Sequence, residues 1–310
     1  MSGTVCVPRR RRARSDFREA ANADREFETK HIVSGSEPQR AFDALVRYVQ
    51  DNNIIYRGPE GALDNTQSVN RKILLSSNFD TPDFKLRNNG IALRIRYQLC
   101  PSGYPRQFDI SVKGSTDRAF GNSGIERIEL EEHLDECVLD FGALFRKYAD
   151  RPGDVAFLKK TLDLAGGNPE NLREVSTVYC DRRSLVIPVH LVSSKGQQLV
   201  KTTGGLNGNA LTARTAYFEV CLDHCLHGAP GQIQAFYSGG ERGVLARDWE
   251  IEAEFKPEPC DHLPEEMGQF SSCVLDAAEK ARAANFITDA IIKPAMPEGI
   301  KLETGKQSKA

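Results

Sequence analysis

Apolar and polar residues alternate over many short stretches of the chain, which is typical of β-strands that bury one face. The clearest stretch is Trp249–Phe255, in which every second side chain is apolar. Turn residues separate the stretches. The pattern predicts strands over Arg25–Val33, Arg71–Asp80, Ile91–Leu99, Gln107–Lys113, Ile125–His133, Arg173–Arg182, Leu185–Val192, Arg214–Cys225, Gln232–Tyr237 and Trp249–Phe255.

Other stretches carry apolar residues at helical spacing or follow helix start signals. They predict helices over Pro38–Asp51, Cys137–Tyr148, Asp154–Leu164 and Ser271–Ile292, and a short turn or helix over Pro82–Asn88. Strands and helices do not alternate one for one, which argues against a doubly wound parallel sheet. We therefore predict an α+β fold with a mainly antiparallel sheet.

The charged residues of the predicted strands are sorted by sign rather than mixed. Successive side chains of a strand point to opposite faces, so Glu250, Glu252 and Glu254 share one face and Arg94 and Arg96 share another. A solvated sheet face explains any single strand. Rows of like charge repel one another, however, and their repetition in six strands favours bound counter-ions. Carboxylates suit a divalent metal, and Arg side chains suit phosphate.

The overall composition narrows the function classes. The chain has 310 residues, a net charge of -2 and a pI of about 6.3, which argues against a general nucleic-acid binder. It holds no apolar run of the roughly 18–20 residues that a membrane span needs. Its eight cysteines are scattered, which favours reduced thiols in a cytoplasmic protein.

The two ends of the chain differ from the rest. Residues 1–24 include the run Arg9–Arg12, and we expect them to form a basic disordered tail. Residues 293–310 are rich in Pro, Gly and polar residues, and we expect a flexible C-terminal tail. The predicted domain therefore spans residues 25–292. The sequence leaves a homodimer open.

The charged strands resemble the CYTH domain, that is, the triphosphate tunnel metalloenzymes. Glu26-Phe27-Glu28-Thr29-Lys30 matches the family's Glu-x-Glu-x-Lys motif, and Leu93-Arg94-Ile95-Arg96 matches its Leu-Arg-x-Arg segment. Further along the chain, the segments 111–113, 127–131, 219–223 and 250–254 resemble the later charged strands of the family in the same order. The likeness covers residues 25–292.

The resemblance implies an eight-stranded antiparallel β-barrel that forms a tunnel for a triphosphate with Mg²⁺ or Mn²⁺. The implied phosphate-binding residues are Lys30, Arg94, Arg96, Lys113, Arg127 and either Arg182 or Arg183, of which strand parity with Thr177 and Tyr179 favours Arg183. The implied metal ligands are Glu26, Glu28, Glu129, Glu250, Glu252 and Glu254. Glu131, Asp223 and Lys30 are the implied catalytic residues, with one of the acids orienting water, and Glu219 lies on the same face as Asp223.

The implied activity is hydrolysis of a triphosphate, most simply inorganic tripolyphosphate. Thiamine triphosphate, a nucleoside triphosphate, and cyclisation of ATP to cyclic AMP are alternatives on the same fold. A non-catalytic module that binds polyphosphate or nucleotide is the alternative from another class. Cys221, His224, Cys225 and His227 lie close in sequence, but their spacing is not that of a structural zinc site.

Overall fold

The computed structural model describes residues 25–52, 54, 69–99, 105–120, 124–194, 197–201, 213–232, 236, 243–256 and 277–304. The strands are β1 (Arg25–Ser34), β2 (Asn70–Asp80), β3 (Ile91–Leu99), β4 (Pro105–Phe120), β5 (Gly124–Leu134), β6 (Arg173–Ser194), β7 (Gln197–Lys201), β8 (Ala213–Gly228), β9 (Val244–Lys256) and β10 (Lys301–Thr304). The helices are α1 (Arg40–Asp51), α2 (Lys85–Asn88), α3 (Phe141–Lys147), α4 (Pro152–Leu164), α5 (Ala277–Ile287) and α6 (Lys293–Ala295), with a 3₁₀ turn over Pro169–Asn171 and a π-helical turn over Thr288–Ile292. The predicted basic tail 1–24 lies outside the described residues.

The strands form one antiparallel sheet in the order β10-β1-β5-β4-β3-β2-β6-β8-β9, and β7 pairs with β6. β1 has neighbours on both edges. It pairs with β5 through residues 25–29 and with β10 through residues 31–34 on one edge, and with β9 through residues 28–32 on the other. The predicted antiparallel α+β class is thus confirmed, while the closed eight-stranded barrel stays a prediction.

One face of β1, β6, β8 and β9 is apolar and is covered by helices. Phe27, Phe218 and Ile251 project from this face and are at most 1% exposed. Phe42 and Leu45 of α1, together with the segment from α5 to α6, pack onto them. Burying each large apolar side chain contributes about 1.5–3 kcal/mol, so this layer holds both groups of helices on the outside of the sheet.

A second apolar layer covers β3, β4 and β5. Leu93, Ile110 and Leu130 are buried there against Leu144 of α3 and against α4. Close approach of α4 requires Gly114, because a Cβ at that position would lie 2.6 Å from the ring of Phe157. Helices therefore cover the apolar face of the sheet in two places, and the charged residues project from the opposite face.

Three predictions about elements are corrected by the structure. The strands predicted over 173–182 and 185–192 are one continuous strand, β6. Gln232 lies in a turn and Phe236 has helical backbone conformation. The strand predicted over Gln232–Tyr237 is therefore wrong at both of these described positions. The predicted flexible tail instead contains α6 and β10, because residues 301–304 pair through their backbone with residues 31–34 of β1.

None of the helices in the described ranges is long and apolar enough to cross a lipid bilayer.

His31 gives the stability of this fold a defined pH dependence. Burial lowers the pKa of its ring, and Lys293 adds to the effect while Asp289 opposes it. Stability from the neutral ring is present above the unfolded pKa of about 6.5 and is lost as the pH falls through the lower folded value. We expect His31→Gln, which cannot titrate, to show a smaller fall in Tm between pH 7.5 and pH 5 than the wild type, measured by circular dichroism. Equal falls would contradict this.

Candidate functional site

We call the side of the sheet opposite the helices the charged face. Cross-strand register places Lys30 of β1 beside Glu252 of β9, and Arg182 of β6 beside Asp223 of β8. Several of these acids are deeply buried: Glu28 and Asp223 are each 3% exposed. A solvated sheet face would leave them open to water, so at least these two acids lie in a part of the face that water reaches poorly.

Arg182 is at the centre of one ion-pair cluster. Its guanidinium donates to both carboxylate oxygens of Asp223, at 2.8 and 2.5 Å, and to Glu252 Oε2 at 2.7 Å. Lys30 Nζ lies 2.8 Å from Glu252 Oε1 and 2.5 Å from Glu250 Oε2. We call these five residues the Arg182 cluster.

The charges of the Arg182 cluster hold one another in place. Burial opposes the Lys30 charge, but Glu252, Glu250 and Glu28 outweigh it and raise the pKa of Lys30 well above its usual value. Burial likewise acts to raise the pKa of Glu252, but Lys30 and Arg182 outweigh it and hold that pKa well below the usual range. Burial prevails at Asp223, whose pKa is raised despite its contact with Arg182.

A second cluster spans β3, β4 and β5. Arg94 Nε donates to Ser111 Oγ at 2.8 Å, and Arg94 Nη2 donates to Glu129 Oε1 at 3.3 Å. Lys113 Nζ lies 3.0 Å from the other oxygen of Glu129. One carboxylate is therefore shared by two cations and offsets only part of their combined charge. We call Arg94, Lys113 and Glu129 the Glu129 cluster.

Arg96 lies next to the Glu129 cluster on β3 and differs from the other cations. Its Nε is buried and has no hydrogen-bond partner among the described residues. The acid opposite it in register is Asp109, which interacts with Gln107 at 2.9 Å and with His133 at 3.2 Å. A buried donor without a partner costs about 1–3 kcal/mol, so this position favours an incoming anion.

The remaining predicted residues on this face are placed as follows. Arg127 Nη2 lies 2.8 Å from Glu28 Oε1. Glu131 lies opposite Ser111 in register, and its backbone carbonyl accepts from Lys147 and Tyr148. The backbone of Glu26 pairs with that of Arg127, but its side chain lies outside the description.

The parity prediction that favoured Arg183 is wrong, and Arg182 is the residue on the charged face. Arg183 Nη1 contacts Asp43 Oδ1 of α1 at 3.1 Å, and its guanidinium lies 5.2 Å from the centre of the Phe42 ring. The parity was counted from Thr177 and Tyr179, and the structure places Tyr179 beside Phe236 on the helix-covered side.

The signs of charge are unequally distributed over the charged face. Of its described side chains, β3, β4 and β5 carry four bases and three acids, namely Arg94, Arg96, Lys113 and Arg127 against Asp109, Glu129 and Glu131. β1, β8 and β9 carry one base and seven acids, namely Lys30 against Glu28, Glu219, Asp223, Asp248, Glu250, Glu252 and Glu254. An anion therefore suits the side of β3–β5, and a cation suits the side of β1, β8 and β9.

The donor chemistry of that acidic side fits a hard divalent cation. Glu254 lies between Glu28 of β1 and Glu219 of β8 in register, so three carboxylates form a row across adjacent strands. Mg²⁺ and Mn²⁺ take oxygen ligands of this type. Glu129, by contrast, lies on the basic side and already contacts Arg94 and Lys113.

The structure also brings together two thiols that the sequence did not single out as a pair. Cys180 of β6 and Cys225 of β8 are cross-strand partners on the charged face. They are distant in sequence, so only the register of two long strands could have indicated it. Two other residues of the closely spaced group in β8 are separate from this pair. Cys221 is buried beside Arg182, and the ring of His224 stacks on that of Trp249 at 4.2 Å between ring centres.

No protein-family model matches this chain, and no curated protein matches it. Solved structures do match it. HpAC1 from Hippeastrum, described as a candidate adenylyl cyclase with a dominant triphosphatase activity, is 14% identical, with 92% of each chain covered and a TM-score of 0.42.

Two further matches are more distant by TM-score. The PH1819 protein from Pyrococcus horikoshii is 14% identical, with 89% of this chain and 93% of that chain covered and a TM-score of 0.37. A candidate adenylate cyclase from Bacillus halodurans is 17% identical, with 81% and 91% covered and a TM-score of 0.32. At these identities and scores the matches establish no activity, and a functional conclusion depends on the charged face.

Proposed function

We propose that this protein hydrolyses a triphosphate on its charged face, with inorganic tripolyphosphate as the simplest substrate. The observation that carries the proposal is Arg96, whose buried Nε has no partner among the described residues, beside the Glu129 cluster. A guanidinium can donate two parallel hydrogen bonds to phosphate oxygens, and a polyphosphate would supply the acceptor that Arg96 Nε lacks. On this proposal the chain is a member of the CYTH, or triphosphate tunnel, family.

The proposal includes closure of the sheet into an eight-stranded barrel around the charged face. Pairing of β1 with both β5 and β9 supports closure, since it gives β1, β5, β4, β3, β2, β6, β8 and β9 a cyclic order. Burial of Glu28 and Asp223 on the side away from the helices supports it as well. In such a barrel the two clusters face one space.

The cations of the basic side would bind the substrate. Arg94, Arg96 and Lys113 would contact phosphate oxygens. Arg94 and Lys113 would give up part of their contact with Glu129 to do so. These fixed positive charges neutralise charge that develops on the leaving phosphoryl group, which is the main catalytic contribution available to side chains in phosphoryl transfer. Lys30 and Arg182 would help less, because each already contacts two carboxylates.

The acids of β1 and β9 would hold the metal, and a further acid would orient water. Of the proposed ligands of Mg²⁺ or Mn²⁺, Glu28 and Glu254 lie opposite each other in register, whereas Glu250 and Glu252 would first have to exchange their contacts with Lys30 and Arg182 for the metal. When bound, the metal would offset charge on the phosphate oxygens. Of the two acids predicted to orient water, Glu131 is the better candidate. Both oxygens of Asp223 accept from Arg182, which limits its capacity to take a proton from water.

Glu28→Gln should reduce phosphate release from tripolyphosphate in Mg²⁺ or Mn²⁺ by at least about 100-fold, because an uncharged amide is a poor ligand for these metals and no longer forms the ion pair with Arg127. A malachite-green assay measures the rate. ATP, thiamine triphosphate and pyrophosphate serve as competing substrates, and pyrophosphate released from ATP would indicate cyclisation instead of hydrolysis.

Glu132→Gln is the matched control. Glu132 is the next residue after Glu131 in β5 and pairs with Lys147 at 2.9 Å on the other face, so its rate should stay near the wild-type value. Wild-type protein that binds tripolyphosphate without releasing phosphate in either metal would contradict hydrolysis and support a binding module.

A further inference from the structure

Two buried thiols and a carboxylate converge at one end of the Arg182 cluster. Cys180 and Cys225 are direct cross-strand partners, and Asp223 lies two residues before Cys225 on the same face. The sulfur atoms of both thiols and a carboxylate oxygen of Asp223 all lie within 4.8 Å of one another. The three residues are 8%, 7% and 3% exposed.

A second group of donors adjoins the first through Cys225. Its sulfur also lies within 4.8 Å of carboxylate oxygens of Asp248 and Glu250. Glu250 is engaged by Lys30 at 2.5 Å. Asp248 is less engaged, because Oδ2 contacts His227 at 2.9 Å while Oδ1 is buried with no hydrogen-bond partner among the described residues.

The donors of Cys180, Asp223 and Cys225 differ in chemistry from the carboxylate row of Glu28, Glu254 and Glu219. Thiolates select borderline and soft cations such as Zn²⁺, whereas Mg²⁺ and Mn²⁺ prefer oxygen. Zn²⁺ binds sulfur at about 2.3 Å and carboxylate oxygen at about 2.0–2.2 Å, so tetrahedral ligands lie about 3.3–3.8 Å apart. The donor atoms of Cys180, Asp223 and Cys225, which already lie within 4.8 Å of one another, need only small side-chain movements to reach that geometry.

We propose that Cys180, Asp223 and Cys225 form a Zn²⁺ site, with water in the fourth position of the tetrahedron. Zn²⁺ binding converts both thiols to thiolates and releases their protons to solvent. Asp223 would then share its carboxylate between the metal and Arg182, which keeps its contact with Glu252. The site shares no ligand with the proposed Mg²⁺ or Mn²⁺ site, although Cys225 adjoins Glu250, and it does not depend on the proposed hydrolysis.

Binding is tested on the full chain, freed of metal by a chelator, without substrate. Titration with Zn²⁺ against a chromophoric chelator should give one tight site that excess Mg²⁺ does not displace. Co²⁺ in place of Zn²⁺ should produce a thiolate-to-metal charge-transfer band. Cys180→Ser and Cys225→Ser should each weaken Zn²⁺ binding by at least about tenfold, and Cys137→Ser, which removes an exposed thiol outside the cluster, should not.

Unchanged Zn²⁺ affinity in both serine variants, or a Co²⁺ complex without the charge-transfer band, would overturn the proposal. A measurement on the wild type covers the case in which the variants do not fold. Zn²⁺ should slow alkylation of Cys180 and Cys225 by N-ethylmaleimide, measured by peptide mass spectrometry, relative to Cys137. Equal alkylation of both thiols with and without Zn²⁺ would also overturn it.

Discussion

Arg96→Ala should lower the rate of phosphate release by about 100- to 1000-fold and leave the protein folded. No hydrogen bond or ion pair of the described residues uses the buried Nε of Arg96, so removal of the side chain deprives none of them of a partner at that atom. Loss of one cation also relieves its repulsion with Arg94 on the same strand face. The expected cost to stability is therefore small, and the loss falls on substrate binding and turnover.

Arg71→Ala is the matched control for this prediction. Arg71 lies on the neighbouring strand β2 and makes an exposed bidentate pair with Asp181, at 2.9 and 2.7 Å. Its removal should leave turnover near the wild-type rate and cost at most about 1 kcal/mol. Phosphate assays and urea unfolding of both variants give the two quantities. Wild-type turnover of folded Arg96→Ala protein would refute the assignment of the basic side to phosphate.

Arg182→Ala should instead destabilise the protein, by about 3–5 kcal/mol in the free energy of unfolding. Asp223 and Glu252 are 3% and 8% exposed. Removal of the guanidinium leaves these two buried carboxylates close together, and of the two it is Glu252 that Lys30 contacts. We expect an increase in the pKa of both acids and a loss of stability that is larger at pH 8 than at pH 5, because protonation relieves the uncompensated charge. Urea unfolding at the two pH values measures this.

Arg183→Ala gives the comparison from the adjacent residue. Arg183 pairs with Asp43, whose side chain is 61% exposed. Arg183→Ala should therefore lower the free energy of unfolding by no more than about 1 kcal/mol at either pH. A double variant in which Asp223→Asn accompanies Arg182→Ala should recover part of the lost stability, since one buried charge is removed. Equal losses for Arg182→Ala and Arg183→Ala would contradict the placement of Arg182 at the centre of the cluster.

The sequence predicted the charged face because strand periodicity alone determines which side chains share a side. Glu250, Glu252 and Glu254 needed only that rule. It could not predict which base meets which acid, since the contact of Arg182 with Glu252 depends on the register of three strands that are distant in the chain. Parity within β6 also needed one residue of known orientation, and Tyr179 was assigned to the wrong side.

Long-range pairing also explains what was missed at the C-terminus and at the thiols. Residues 301–304 belong to a segment that is rich in Pro, Gly and polar residues, and long-range contacts place them: pairing with β1 and packing of Leu302 against the apolar core. Cys180 and Cys225 become neighbours through the same kind of cross-strand contact. Local pattern therefore predicted the class of fold and one face of the sheet, and tertiary pairing determined the remainder.

β10 has a protective role that follows from its position on β1. β5 ends its pairing at Thr29, and β10 continues along the same edge of β1 from His31 to Ser34. Without β10 this short length of edge would present unpaired N–H and C=O groups, which invite strand addition from another molecule and aggregation. Residues 301–304 thus keep this part of β1 paired within the chain, and a shortened version of the chain should retain Thr304 to preserve that pairing.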